Sequence, residues 1–214
     1  MPGEGIGGRL ARLALRGLDA LVSWGYGIWR FSEDPGCILR VGQGRARAPM
    51  RLSDGTEVQA GEAVGELHLW NERLPKMPPE GPDLAWATRT WQLWKRSLEV
   101  LAQSLEGEPR LQEARAFRGE AVVLPRDEFP WVRLFQRAGF DVVRLPRPRS
   151  PWERFAAFWE NGYAWALVWT YNPGSLRRKD FFRLERIQIW ISRERLCARY
   201  GSASEATLGE EGEM

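Results

Sequence analysis

The segment GELHLWNE, residues 65–72, alternates apolar and polar residues in the way that is typical of a β-strand with one buried face. The alternation sends Leu67 and Leu69 to a core and places Glu66 and His68 on the opposite face. A carboxylate and the only imidazole of the chain are therefore predicted to be neighbours on the second face of a sheet.

The residues around this segment consist of short apolar runs separated by glycine-containing turns. Such a pattern predicts a meander of short antiparallel strands. The predicted strands occupy residues 37–41, 50–52 and 64–69, and the turns contain Gly42, Gly44, Gly55 and Gly61.

Amphipathic helices flank the meander. Residues 6–30 carry leucines near helical spacing with arginines between them, which predicts an N-terminal helix. After a proline-rich connector, the apolar stripe that begins at Leu84 predicts a long helix ending at Gly107.

The second half of the chain is predicted to start with a β-α-β unit. Ser150 as N-cap and Pro151 at the first helical position predict a further helix, and the apolar run after Gly162 predicts a strand. The predicted ranges are strands at 120–124 and 140–145 around a helix at 130–138, a helix at 152–159, strands at 163–171 and 183–191, and a helix capped by Ser192 that ends at Gly201.

We therefore predict an α+β fold, in which an antiparallel meander, packed helices and a β-α-β-like second half share one sheet in a single compact domain. Residues 1–30 form its N-terminal amphipathic helix, residues 31–201 the α+β domain, and residues 202–214 a disordered acidic tail. The alternative is two subdomains that divide between Leu74 and Pro82.

Composition excludes several classes of protein. The 214 residues are 43% hydrophobic and 28% charged, as in folded proteins, and the longest apolar run has seven residues, too few for a membrane span. Cys37 and Cys197 are too few for a disulfide framework and lack the spacing of a zinc site. No secretory signal pattern is present at the N-terminus. We expect a cytoplasmic protein with no metal and no cofactor.

Glu66 and His68 are the candidate catalytic residues, because a carboxylate can orient and charge a neighbouring histidine for proton transfer. Asn71 and Glu72 follow at the end of the same strand and are candidate binding residues. The competing interpretation is that His68 is a structural residue whose hydrogen bonds are satisfied inside the fold.

Aromatic residues lie at the end of the predicted N-terminal helix. Twelve tryptophans are several times ordinary usage, and most are expected in the core. Trp24, Tyr26 and Trp29, beside the arginines of the helix, instead suit the interface of an anionic membrane. We therefore expect peripheral contact with the inner face of a membrane as one property of the chain.

Two stretches, RLSDGTEVQAGEAVGELHLWNERL at residues 51–74 and YNPGSLRRKDFFRLERIQIWISRERLCARYG at residues 171–201, resemble YkoP-like proteins. The pattern of that family has an Asp-Gly turn, a Gly-Glu-Leu-His-Leu-x-Asn-Glu strand, and an Arg-rich strand that enters a Trp-x-Ser helix cap. In this chain these are residues 54–55, 65–72 and 183–192. The likeness covers most of the chain outside the acidic tail.

The resemblance implies a role linked to bacterial cell-envelope polysaccharide, since members of this uncharacterised family occur alone or attached to polysaccharide deacetylase domains. With a single histidine the chain cannot supply the Asp-His-His metal set of those deacetylases, so their reaction is not implied. The family strand strengthens the candidate site around His68. Arg183 and Arg186 are three apart on the last predicted strand, so at most one of them joins His68, and Arg183 is the candidate binding residue.

The expected function is thus an accessory or ligand-binding domain, with an anionic membrane surface or a sugar as partner. One alternative is an acyl or glycan-modifying transferase that uses His68 as base. Residues 134–143, LFQRAGFDVV, resemble a helix and strand of GNAT-class N-acyltransferases, although the Gly-rich pyrophosphate loop of that class is missing.

A second alternative is nucleic-acid binding. The net charge of +3 rises to +7 when the four glutamates of the tail are left out. Arginine clusters at residues 144–149 and 177–179 would then contact phosphates. The sequence leaves open whether the chain is an enzyme.

Overall fold

Five strands pair into one mixed sheet in the computed structural model, and a separate two-stranded hairpin folds against it. The structure describes residues 6–123, 128–146, 150–176 and 185–201. The strands are β1 (Leu39–Arg45), β2 (Met50–Arg51), β3 (Glu57–Val58), β4 (Ala63–Leu69), β5 (Ala116–Val123), β6 (Asp141–Arg144) and β7 (Glu185–Ser192). The helices are α1 (Ile6–Gly25), α2 (Leu84–Ser104), α3 (Glu128–Arg137), α4 (Pro151–Tyr171) and α5 (Arg193–Tyr200), and short 3-10 turns lie at Asn71–Arg73, Pro109–Leu111 and Pro173–Leu176.

The strand order of the sheet is β1-β4-β5-β7-β6. β1 pairs with β4 and β5 with β7 in antiparallel fashion, while β4 and β5 are parallel and are connected through α2. β6 is antiparallel to β7 at the edge. The α+β prediction and the single compact domain are confirmed.

Two details of the predicted topology are corrected. The first-half strands are not a continuous meander, because β1 pairs directly with β4 and the β2–β3 hairpin forms its own small sheet. In the predicted β-α-β unit, β5 and β6 are parallel to each other, but β7 is inserted between them. Both corrections concern long-range pairing, which the spacing of apolar runs does not specify.

The main core lies on one face of the sheet. Leu67 of β4 and Phe117 of β5 pack there against α2 and α5, and Phe117 has no exposed surface. Gly65 makes room for the Phe117 ring, because a Cβ on Gly65 would overlap that ring. The other members of the core include Leu39, Val41, Leu98, Leu101, Leu105, Ile187, Ile189, Ile191 and Leu196.

The predicted strand at residues 163–171 is wrong, since these residues continue α4 to Tyr171. The helix starts as predicted, at a capping box between Ser150 and Glu153 with Pro151 in the first turn. Gly162 does not end the helix. The short apolar run after Gly162 fits a strand and a packed helix equally well, so the sequence pattern could not distinguish them. No described helix combines the length and apolar character needed to cross a bilayer.

The Asp-Gly turn is attached to the start of α5. The Ser192 hydroxyl donates to Asp54, while Ser192 Oγ accepts the backbone N–H of Arg195 at 3.0 Å and caps the helix, as predicted. Arg195 Nε lies 3.3 Å from Asp54 Oδ2, and its Nη1 lies 3.3 Å from Asp141 Oδ2. Although burial opposes it, hydrogen bonding from Ser192 lowers the pKa of Asp54. One guanidinium therefore joins the hairpin, β6 and α5.

We expect Arg195→Met to lower the unfolding free energy by about 1 to 3 kcal/mol, because it leaves the half-buried Asp54 and Asp141 carboxylates without their cation. Urea unfolding of the purified chain measures the change. The matched control is Arg115→Met, whose side chain is 62% exposed and pairs with Glu62 at 3.4 Å, so its cost should be below about 1 kcal/mol. Equal effects of the two substitutions would contradict the role given to Arg195.

We expect Gly162→Ala to raise the unfolding free energy by about 0.4 to 1 kcal/mol. The residue lies inside α4, and no atom outside its own helical turns lies within 4 Å of where its Cβ would be, so alanine gains helix propensity without a clash. Thermal unfolding followed by circular dichroism measures the shift. A loss of stability would show that residues 160–164 are not helical.

Candidate functional site

The second face of the sheet carries charged side chains from three adjacent strands. The register pairs Arg40 of β1 with His68 of β4, and Glu66 of β4 with Arg118 of β5. Since residues paired across strands lie on the same face, these four side chains are neighbours there. The predicted placement of Glu66 and His68 opposite Leu67 agrees with this arrangement.

Glu66 and Arg118 form the innermost ion pair of this face. Arg118 Nη2 contacts Glu66 Oε1, and the Arg118 side chain is only 9% exposed. Its guanidinium also lies 5.8 Å from the ring centre of Trp190 on β7. A buried guanidinium requires a nearby anion, and Glu66 provides it.

Glu66 is held in its charged form. The His68 side chain beside it and the Arg118 guanidinium together outweigh the effect of burial and lower the pKa of Glu66 from 4.5 to about 2. At neutral pH the carboxylate is therefore ionised and cannot act as a general acid. It can accept hydrogen bonds and orient its neighbours.

His68 lies at the more open edge of the same cluster. Its Nε2 is 3.7 Å from Glu66 Oε2, an ion-pair distance that is too long for a hydrogen bond. The side chain is 34% exposed, yet Nε2 itself is buried and has no hydrogen-bond partner among the described residues. Within the described part of the chain, one nitrogen of His68 is thus left without a hydrogen-bond partner.

Two glycines of β1 give the cluster its space. A Cβ on Gly44 would lie 2.6 Å from Glu66 Cδ, so any side chain there would displace the carboxylate from Arg118. A Cβ on Gly42 would lie 3.5 Å from both His68 Nε2 and Ile28 Cγ1. Gly44 thus makes room for the Glu66 carboxylate, and Gly42 places no side chain of β1 beside the imidazole.

Helices α1 and α4 supply polar groups above this face. Asp19 of α1 lies 3.7 Å from Arg40 Nη2 and accepts a hydrogen bond of 2.8 Å from the hydroxyl of Tyr163 on α4. Burial, followed by the hydrogen bond to Asp19, raises the pKa of Tyr163, which therefore stays a donor at neutral pH. Two residues before Tyr163 on α4, the Asn161 side chain accepts a hydrogen bond of 2.9 Å from Arg186 of β7.

Three polar atoms of this region are buried without a hydrogen-bond partner among the described residues. They are His68 Nε2, Asp19 Oδ2 and Arg40 Nε. Buried polar atoms in folded proteins are nearly always paired with protein, water or a ligand. Their concentration beneath α1 marks a place where a small polar molecule can bind.

The other predicted binding residues lie further along or outside this cluster. Glu72 accepts a 3.1 Å hydrogen bond from Tyr171 near the end of α4, and Asn71 starts the 3-10 turn after β4. Arg183 lies outside the described residues, as do the predicted arginine cluster at 177–179 and residues 147–149. No group of three potential metal ligands occurs among residues 6–123, 128–146, 150–176 and 185–201.

Sequence reasoning missed Arg118, Arg40 and Asp19. Arg118 could be identified from the sequence as a single charge between Phe117 and Gly119, but it precedes the range predicted for that strand. Asp19 is the only acid in a helix rich in arginine and leucine, which is a signal that a special partner exists. Arg40 carries no local signal, because only the pairing of β1 with β4 places it beside His68.

We expect Glu66→Gln to lower the unfolding free energy by about 2 to 4 kcal/mol at pH 7, because it leaves Arg118 buried without an anion. The folded pKa of Glu66 lies below its unfolded value of 4.5, so its contribution is present above pH 4.5 and is lost as the pH falls towards about 2. The gap between wild type and variant should therefore close across this window. Urea unfolding at a series of pH values measures it.

Glu120→Gln is the matched control, since Glu120 lies on the same strand as Arg118 but is exposed and bonds Gln188 at 2.9 Å. Its effect on stability should be below about 1 kcal/mol and should not follow the same pH window. A Glu66→Gln variant with wild-type stability at pH 7 would exclude the buried ion pair.

Residues 38–200, from the residue before β1 to the end of α5, match the family model described as the YkoP domain. The match includes the sheet, its charged face and the Asp54 turn, while α1 precedes it. Comparisons with curated proteins and with solved structures give no significant match. With more than half of its length matched, this chain belongs to the YkoP domain family.

Proposed function

We propose that this chain is an accessory domain that binds a neutral saccharide at the charged sheet face beneath α1. The observation that carries the proposal is the group of three buried polar atoms on His68, Asp19 and Arg40 that have no hydrogen-bond partner among the described residues. Each such atom costs free energy unless a ligand or water completes its hydrogen bonds. A saccharide hydroxyl suits the group because it donates and accepts at once.

The charge balance of the cluster favours a neutral ligand. Arg40 faces Asp19, and Arg118 faces Glu66, so the two cations and two carboxylates cancel in pairs. An anionic ligand would have to compete with Glu66, which is ionised at neutral pH. A polyhydroxyl molecule can bond to both signs of charge without losing this balance.

The link to bacterial cell-envelope polysaccharide rests on the family. The YkoP resemblance implies proximity to enzymes that act on such polysaccharides, and the chain itself has a single histidine and so cannot supply their metal set. A binding role beside such enzymes is compatible with both facts. The proposed ligand is therefore an envelope-type amino sugar or its oligomer.

A transferase that uses His68 as base is the second candidate. The observation in its favour is that His68 Nε2 has no hydrogen-bond partner in the described part of the chain and lies 3.7 Å from the ionised Glu66. An imidazole in this position can accept a proton from a bound hydroxyl. Acyl or glycan transfer would then occur at the same place on the sheet face as saccharide binding.

We expect oligomers of N-acetylglucosamine to bind with a dissociation constant of about 1 mM or lower, as measured by saturation-transfer NMR and calorimetry. Gly42→Val should weaken binding at least about tenfold, because its side chain would occupy the space beside His68 Nε2. Asp19→Asn should weaken binding without filling that space, since it removes the charge that faces Arg40.

Gln43→Val is the matched control, because Gln43 is the next residue of β1, is exposed and points to the other side of the strand. Maltose oligomers test whether any saccharide is sufficient. Absence of binding to every oligomer, or equal binding by Gly42→Val, would reject the proposal. Recovery of a chemically altered oligomer after incubation with an acyl donor, lost in His68→Ala, would favour the transferase.

A further inference from the structure

The imidazole of His68 and the carboxylate of Glu66 lie side by side on β4 but are not joined by a hydrogen bond. His68 Nε2 is 3.7 Å from Glu66 Oε2, whereas Glu66 Oε1 is the oxygen that Arg118 contacts. A hydrogen bond needs a distance of about 3 Å, so a small movement of the imidazole would close the gap. The place beside Nε2 is therefore open in the structure and can be closed by direct contact between the two side chains.

Histidine is the group of this region that responds to pH near neutrality. Carboxylates are ordinarily ionised above about pH 5, and arginine keeps its charge throughout. His68 and Arg118 lower the pKa of Glu66 to about 2, and burial raises the pKa of Tyr163. Imidazole, in contrast, ordinarily changes charge between about pH 5 and pH 8. The other titratable or charged groups on the elements around His68 are Glu66 on β4, Arg40 on β1, Arg118 and Glu120 on β5, Arg186 on β7, Arg12 and Asp19 on α1, and Tyr163 on α4.

A change of charge on His68 changes what Nε2 offers to a ligand. In the neutral ring one nitrogen donates and the other accepts, whereas both nitrogens of the charged ring are donors. Nε2 can therefore accept a hydrogen bond from a saccharide hydroxyl only while the ring is neutral. The charge also adds attraction to Glu66 Oε2, which favours direct contact across the 3.7 Å gap.

The His68 ring is accessible to solvent protons, although its Nε2 is buried. The side chain is 34% exposed, compared with 9% for Arg118 on the same sheet face. A Cβ on Gly42 would lie 3.5 Å from His68 Nε2 and 3.8 Å from Glu66 Cβ, so the glycine adds no side-chain atom beside either residue. The side chain of residue 42 therefore does not obstruct a movement of the imidazole towards Glu66.

We propose that His68 makes saccharide binding at this site dependent on pH: the neutral ring leaves the place beside Nε2 open to a sugar hydroxyl, and the charged ring closes it by pairing with Glu66. This inference rests on the proposed function and adds the regulation of the same site. Saccharide affinity is therefore highest at about pH 8 and falls as the pH is lowered through the range in which histidine gains a proton.

The test is calorimetric titration of the full chain with oligomers of N-acetylglucosamine at about pH 5.5 and at about pH 8. Wild type should bind at least about fivefold more weakly at the lower pH, because only the fraction of the protein with a neutral His68 is competent to bind. By reciprocity, saturating oligomer should lower the pH at which the signal of the single imidazole changes in proton NMR. Circular dichroism at both pH values checks that the chain is folded.

His68→Gln keeps a hydrogen-bonding side chain that does not titrate, so its affinity should be equal at the two pH values. The matched control is Glu120→Gln, which removes an exposed carboxylate that bonds Gln188 on the same sheet face and should keep the pH dependence of wild type. Three results would overturn this inference and leave saccharide binding standing: wild-type affinity that does not fall at the lower pH, an imidazole signal that the oligomer does not shift, or wild-type pH dependence in His68→Gln. Absence of binding at both pH values would overturn the proposed function as well.

Discussion

The guanidinium of Arg118, on the central strand of the sheet, constrains which side chains can lie around it. Arg118 is almost fully buried on β5, and its charge can be kept there only if an anion lies beside it. Glu66 on the parallel neighbour β4 supplies that anion through the cross-strand register. The carboxylate also occupies the space beside Gly44, so a side chain at that position of β1 would move Glu66 away from Arg118.

The same requirement explains the unusual orientation of α1. A sheet face that carries Arg40, Glu66 and Arg118 cannot be covered by leucine, because polar groups would then lose their water without gaining partners. The helix buries Asp19 and Ser23 and exposes Leu10, Leu13, Leu18 and Leu21, while Leu15 is half-buried. The inner surface that we propose for a saccharide is thus one consequence of this charged face.

The motifs that carried the family resemblance divide into a structural part and a site part. Asp54 and Ser192 contact each other and share Arg195, so the Asp-Gly turn and the helix cap stabilise the attachment of the hairpin to α5. Glu66 and His68 belong instead to the charged face. A family pattern therefore does not by itself separate residues that hold the fold from residues of a candidate site.

The sequence by itself determined the α+β class, the core position of Leu67, the long α2 and the cap of α5, because hydrophobic periodicity and capping chemistry are local. The core position predicted for Leu69 is wrong, since this side chain at the end of β4 is 44% exposed. The sequence also indicated that Glu66 and His68 share a face. Tertiary structure alone decided that residues 163–171 are helical and that β7 separates β5 from β6. It also decided that Arg118 pairs with Glu66, that Arg40 lies across from His68 and that Asp19 contacts Arg40. Strand order and helix rotation depend on which distant charges must be paired, and no local pattern records that choice.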